Sequence, residues 1–134
     1  ISMEMFLTER EIRKLLLAAS QAREHSYAPY SHYPVGAAVL TEDERIFSGC
    51  NVENASYPAG LCAERNAIGS AASAGILHFR GMAIIGSQKT YTMPCGICRQ
   101  VMAEFHIPYV VCGINLWDYK VYRVEELLPH GFSM

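Results

Sequence analysis

Apolar positions along the chain change period several times, and each change marks an element. Ile12, Leu15, Leu16 and Ala19 recur at i, i+3, i+4 and i+7, the spacing of one helical face. Thr8 followed by Glu11 has the spacing of a capping box, in which the hydroxyl and the carboxylate each satisfy an N–H of the first turn, so a helix is predicted over residues 9–24. "SYAPYSHYP" ends it with two prolines. "VGAAVL" and "RIFSGC" are short apolar runs around the acidic turn "TEDE", which predicts a β-hairpin. "LCAERNAIGSAASAG" is alanine-rich and stops at Gly75, predicting a helix over 62–74. "MAIIGS" and "PYVVCGI" have the unbroken apolar character of buried strands, and between them "CGICRQVMAEF" opens a helix behind Pro94. "YKVYRV" alternates as a last strand after a turn at Asn115 to Asp118, and "EELLP" suits one or two helical turns.

Helices interleaved with mostly buried strands imply one sheet between helical layers: an α/β fold, a three-layer α/β/α sandwich around a mixed five-stranded sheet. Ligand sites in such folds lie at strand ends and helix N-termini. With 134 residues and no internal repeat or linker, the chain reads as a single domain, 1–134, large enough to stand without disulfide staples.

Charge and composition narrow the function classes. The formal net charge is -2 and basic residues are scattered, so no nucleic-acid partner is expected. No apolar run approaches the ~20 residues that span a bilayer, so no membrane partner is expected either. "ISMEMFLTER" carries acidic residues where an export signal would be basic, which together with an odd set of five cysteines favours a cytoplasmic protein with reduced thiols, metal-bound thiols or catalytic thiols.

The chemistry is concentrated in two segments. Cys62 starts one predicted helix, while Cys95 and Cys98 lie in the first turn of another, three apart on one face. Helix N-termini present free N–H groups and positive dipole character that stabilise thiolates, and three convergent thiolates suit Zn²⁺. A structural zinc site would close its shell with a fourth protein ligand, which is hard to find here, whereas a catalytic site keeps a position for water. Glu64, two residues after Cys62, is placed to act as a base beside that position. Two other readings stand beside this one: a thioredoxin-like redox pair at Cys95 and Cys98, and a structural zinc protein without turnover. Cys50 and Cys112 end or sit within apolar strands and read as small core residues. His25, His32, His78, His106 and His130 lack paired ligand spacing and read as surface or loop residues.

"CAE" followed roughly thirty residues later by "PCGIC" resembles the signature of zinc-dependent nucleobase deaminases. "YSHYPVGAAVL", "GCNVENASYPAGLCAERNAI", "PCGICRQVMAEF" and "EELLPHGF" extend the resemblance, from Tyr27 to Phe132, to the small cytidine deaminases that form homotetramers. That resemblance implies one Zn²⁺ per subunit on Cys62, Cys95 and Cys98, with Glu64 as the proton shuttle. It assigns Asn51 and Glu53 to the ribose hydroxyls and Ala63 to substrate binding. Tyr33 stands where the family usually carries phenylalanine near the pyrimidine, retaining the ring and adding a hydroxyl. Tyr57 and Phe132 resemble residues that reach a neighbouring subunit's site. Without the resemblance, Asn51 reads as a turn cap, Glu53 as a surface carboxylate and the aromatics as packing residues.

The implied reaction is hydrolytic deamination of cytidine, and of 2′-deoxycytidine, in pyrimidine salvage, with a pyrimidine nucleoside and water as the small-molecule partners. A nucleoside-antibiotic deaminase is the nearest enzymatic alternative. Zn²⁺ with three thiolates carries a formal charge of -1, which opposes acidification of water. Arg65, one turn from Cys62, is the candidate for zinc-charge tuning through a hydrogen bond to sulfur; the alternative is a surface arginine.

Overall fold

The computed structural model describes residues 7–134; residues 1–6, on which much of the reading against an export signal rests, lie outside the described residues. The elements, in chain order, are α1 (Glu9–Arg23), β1 (Gly36–Thr41), β2 (Ile46–Cys50), α2 (Ala63–Ser73), β3 (Phe79–Ile85), α3 (Gly96–Glu104), β4 (Tyr109–Gly113), β5 (Tyr119–Arg123) and α4 (Val124–Leu127). The five strands form one sheet in the order β2-β1-β3-β4-β5. β3 and β4 are parallel and the other neighbouring pairs antiparallel, so the sheet is mixed as expected.

Side-chain alternation divides the core between the two faces. Ala38, Leu40, Ala83, Ile85, Tyr109 and Val111 pack with Leu15, Leu16 and Ala19 of α1. Ala37, Val39, Met82, Ile84, Val110 and Cys112 pack with Ala67, Ile68 and Ala71 of α2 and with Cys98 and Met102 of α3. The three-layer prediction is thus realised with a single helix on one side. Among the described residues no helix is long and apolar enough to cross a membrane.

α1 approaches β1 so closely that its first residue has to be glycine: a Cβ on Gly36 would stand 1.9 Å from the Ala19 carbonyl oxygen and 2.6 Å from the Arg23 nitrogen. Both obstacles are backbone, so neither can turn aside. Gly36→Ala is therefore expected to destabilise the fold by roughly 3 kcal/mol or more, lowering the thermal midpoint by about 10 °C, as read by calorimetry. A midpoint within about 2 °C of the parent would show that α1 can shift without loss.

Several boundaries differ from the sequence reading. The capping box at Thr8 and Glu11 forms as predicted, and α1 stops at Arg23. β3 begins at Phe79, three residues before "MAIIGS". Phe79 pairs with Thr41 across a bulge and the Arg80 guanidinium pairs with the Glu11 carboxylate of α1, so tertiary partners turn a polar-looking "HFRG" into strand. β3 also ends at Ile85, leaving Gly86 and Ser87 outside the strand, and the chain bends over residues 88–90. α2 and α3 start one residue late because Cys62 and Cys95 are their N-caps, in extended conformation, rather than helical residues. α4 runs over Val124–Leu127 instead of the "EELLP" that follows Val124.

This topology positions the site. Gly36 of β1 lies opposite both Cys50, the last residue of β2, and Ile85, the last of β3. The connections leaving those two strand ends lead directly to the N-termini of α2 and α3. Two helix starts are thereby gathered beyond the carboxyl ends of β2 and β3, where ligand sites of such folds form.

Candidate metal and catalytic site

Cys62, Cys95 and Cys98 converge as the sequence predicts: their sulfurs all lie within 4.8 Å of one another. Cys62 Sγ is 3.7 Å from Cys95 Sγ. Zn–S bonds of ~2.3 Å in a tetrahedron place two sulfurs about 3.8 Å apart, so this pair already stands at the spacing the ion requires. Three sulfur donors on two helix N-termini fit Zn²⁺, and the third thiol is what a simple Cys95–Cys98 redox pair would not need.

The local sequence explains the convergence. At the α3 N-cap the Cys98 N–H donates to Cys95 Sγ at 3.4 Å, whereas Cys62 at the α2 N-cap receives no N–H of its own first turn and is reached by a side chain instead. Cys98 is fully buried at the third helical position, Cys62 is half-buried and Cys95 exposed. A hydrogen bond from Cys98, followed by the Arg65 guanidinium, pulls the Cys62 thiol down to about 5. The proton shared by the pair stays on Cys98, whose thiol is raised by that same bond and by burial. These contacts favour the thiolate at Cys62. Arg65 Nη2 donates to Cys62 Sγ at 3.4 Å and to the Gly60 carbonyl at 3.5 Å, and its bond to the thiolate strengthens its hold on its own proton. Arg65 is a sulfur partner, not a free surface residue.

Glu64 occupies the second position of α2 and is 5% exposed. Burial pushes its carboxyl up to about 7, opposed by its own backbone N–H and reinforced by the Cys62 thiolate. A buried carboxyl beside three sulfurs, with an affinity for protons near neutrality, is equipped to take and return one. Ala63, buried between Cys62 and Glu64, keeps this turn closed against the core. Cys112 lies in β4 with its thiol raised to about 12 by burial, as befits a core residue, whereas Cys50 at the end of β2 is only half-buried. All five histidines are exposed.

Of the residues that the resemblance assigns to the substrate, Tyr33 lies on the segment before β1, Asn51, Glu53 and Tyr57 on the connection after β2, and Phe132 after α4. Asn51 is buried and largely committed to the chain: its Nδ2 donates to the Tyr33 carbonyl at 3.0 Å, and its Oδ1 accepts from the Val35 N–H at 2.9 Å and from the Ser26 hydroxyl. The turn-capping role is thus real, and one amide N–H remains for a ligand. Glu53 accepts from the Tyr30 and Ser31 N–H groups, each at 3.0 Å, and from the Ser31 hydroxyl. The hydroxyl and then the N–H of Ser31 hold its carboxylate below the ordinary range. Glu53, Tyr30 and Tyr57 line a cleft of about 320 Å³. Tyr57 is 77% exposed and meets Tyr30 edge-on, with centroids 6.2 Å apart. Phe132, 71% exposed, borders a separate groove of about 540 Å³ with Tyr109 and Leu128, and its carbonyl accepts from Gln100 Nε2. Tyr33 turns its hydroxyl to Thr92.

Two participants carried no signal in the linear pattern. Arg99, directly after Cys98, donates from Nε to the Pro94 carbonyl at 2.8 Å and from Nη1 to the Leu127 carbonyl at 2.9 Å, bracing the peptide before Cys95 against α4. Thr92 is buried between Tyr33 and Ser87. An arginine one turn after a cysteine N-cap could have suggested the first; nothing local marks the second.

A family model described as the cytidine and deoxycytidylate deaminase zinc-binding region matches residues 9–114. A cytidine deaminase of Sporosarcina psychrophila is 41% identical over 126 residues, covering 92% of each chain. One from Mycobacterium tuberculosis is 44% identical over 119 residues, covering 87% of this chain and 85% of that one. The crystal structure of cytidine deaminase from Burkholderia pseudomallei superposes with a TM-score of 0.84 at 45% identity, covering 94% of this chain and 100% of the other.

Proposed function

This chain belongs to the cytidine and deoxycytidylate deaminase family, and on that premise we propose that it hydrolyses cytidine, and 2′-deoxycytidine, to uridine and deoxyuridine with release of ammonia. The observation that carries the reading is a buried carboxyl, Glu64, fixed in the same helical turn as one of three converging thiols.

Bound by Cys62, Cys95 and Cys98, zinc supplies Lewis-acid activation of water. The remaining work falls to the chain. As water adds to C4 of the pyrimidine, the C4–O bond forms and Glu64 takes the water proton. Glu64 returns it to ring N3, which draws electron density from C4. It then carries the second water proton to the exocyclic nitrogen, so the C4–N bond breaks with ammonia leaving and a carbonyl formed. Arg65 draws charge from the Cys62 thiolate and so offsets the negative sulfur shell. The free amide N–H of Asn51 and the outer edge of Glu53 face the sugar hydroxyls, and the Tyr33 ring lies against the base. Ala63 contributes backbone at the floor.

The chain works in this reading as a homotetramer in the cytoplasm, within pyrimidine salvage, each site completed by Tyr57 and Phe132 from neighbouring subunits. The exposure of these two large rings supports that assignment, since each would be covered on assembly. The test is ammonia release from cytidine by zinc-loaded protein, with uridine as the second product in equal amount. Zinc-loaded protein that releases none would move the site to a structural metal role.

A further inference from the structure

The hydroxyl of Tyr33 has no part in the reaction just described, yet it has two polar partners near the site. It lies 3.1 Å from Thr92 Oγ1. The Ser87 N–H donates to both oxygens, at 3.3 Å to Tyr33 and 3.2 Å to Thr92. Thr92 is 8% exposed and Tyr33 42%, so the junction is sheltered from water on its Thr92 side. The chain also leaves no room beside it: a Cβ on Gly86 would fall 2.6 Å from Thr92 Oγ1 and 3.1 Å from the Tyr33 hydroxyl.

What the junction joins gives it meaning. On one side, the Tyr33 backbone is held by both candidate sugar-binding residues. Its carbonyl accepts from Asn51 Nδ2 at 3.0 Å, and its N–H donates at 3.1 Å to the Ser31 hydroxyl, which in turn donates to the Glu53 carboxylate. On the other side, Thr92 is followed by Met93, Pro94 and Cys95, so the same hydroxyl pins the loop that delivers a thiol. The phenolic oxygen links the two sides, across 59 residues of the chain.

We propose that the Tyr33 hydroxyl is a positioning group: by holding Thr92 and the Ser87 N–H in one junction, it sets the distance between the sugar-side residues Asn51 and Glu53 and the metal-side loop leading to Cys95. A nucleoside has to span that distance with its sugar at one end and C4 at the other. Misplacement by ~1 Å at a reacting centre costs about 100-fold in rate, so a partial slackening is expected to cost about 10-fold. The proposal rests on the deaminase reading for its kinetic part only.

The test uses Tyr33→Phe, which removes one oxygen and keeps the ring, and Thr92→Val, which keeps the shape. Amide exchange and steady-state kinetics on the zinc-loaded protein are read together. Each variant is expected to speed exchange at the Ser87 N–H by about 5- to 10-fold, the loss of roughly one hydrogen bond. Each is also expected to lower kcat/KM for cytidine about 10-fold, with the double variant no worse than the poorer single one. Thr92→Ser, which keeps the oxygen, is expected to restore protection at Ser87. Unchanged exchange in both variants would overturn the junction itself. Faster exchange with unchanged kcat/KM, or losses that multiply in the double variant, would overturn its positioning role. A parent protein inactive on cytidine defeats the deaminase reading instead, and the exchange measurement still decides whether the junction exists.

Discussion

Glu64→Gln is expected to keep its zinc and to lose cytidine deamination by about 10³- to 10⁴-fold, the upper range for removing a group that transfers protons. The amide fills the same buried space at the second position of α2, so packing against the sulfur cluster is retained. What disappears is a carboxyl whose affinity for protons burial has raised to about 7. A group that has to take a proton from water and later release it works best with such a balanced affinity. The measurement pairs ammonia release with metal content per chain. A variant that keeps both zinc and more than a tenth of the parent rate would remove Glu64 from the chemistry.

The second large effect concerns the metal itself. Cys98→Ala is expected to reduce bound zinc from one per chain to a trace, abolish turnover and make the thermal midpoint insensitive to a chelator. Binding free energies at structural zinc sites are of order 10 kcal/mol, and the two thiols left, Cys62 and Cys95 on separate helix starts, cannot supply what three did. Cys112→Ala is the matched control, since Cys112 is equally buried but belongs to the core of β4. It should lower stability by about 1 kcal/mol or more through lost packing while leaving the zinc content at one per chain. Equal zinc loss in the two variants would mean that core disturbance, not ligation, governs the metal.

What could be read from the chain divides along the distance over which each signal acts. Cys95 with Cys98 is legible because residues three apart meet on one side of a helical turn, and Glu64 because it lies within two residues of Cys62 at a helix start. The convergence of the two turns was also accessible, since both open helices that follow strands and ligand sites of such folds lie at strand ends and helix N-termini. The start of β3 was not: Arg80 looks like a loop residue until Glu11, 69 positions away, is brought to its guanidinium. The same holds for Thr92, whose partners are chosen by the fold, and for Asn51, whose amide is bonded to Ser26, Tyr33 and Val35, 16 to 25 positions away. The N-cap positions of Cys62 and Cys95 were misread by one residue, because a cysteine in the first turn and one just ahead of it give the same pattern.

The two sulfurs nearest one another, those of Cys62 and Cys95, are separated by 33 positions of sequence, and the intervening segment contains all of β3. Whatever bridges them closes that segment into a ring threaded through the middle of the sheet. Closing a loop of this length lowers the entropy of the unfolded chain by an amount equivalent to about 4 kcal/mol, if the bridge persists on unfolding as a covalent one would. A coordinated ion is a fastener that can be withdrawn, so the reactive centre doubles as a rivet for the domain. Scarcity of the ion would then cost this protein its durability together with its chemistry, and a degraded chain would be the visible sign of an unfilled site.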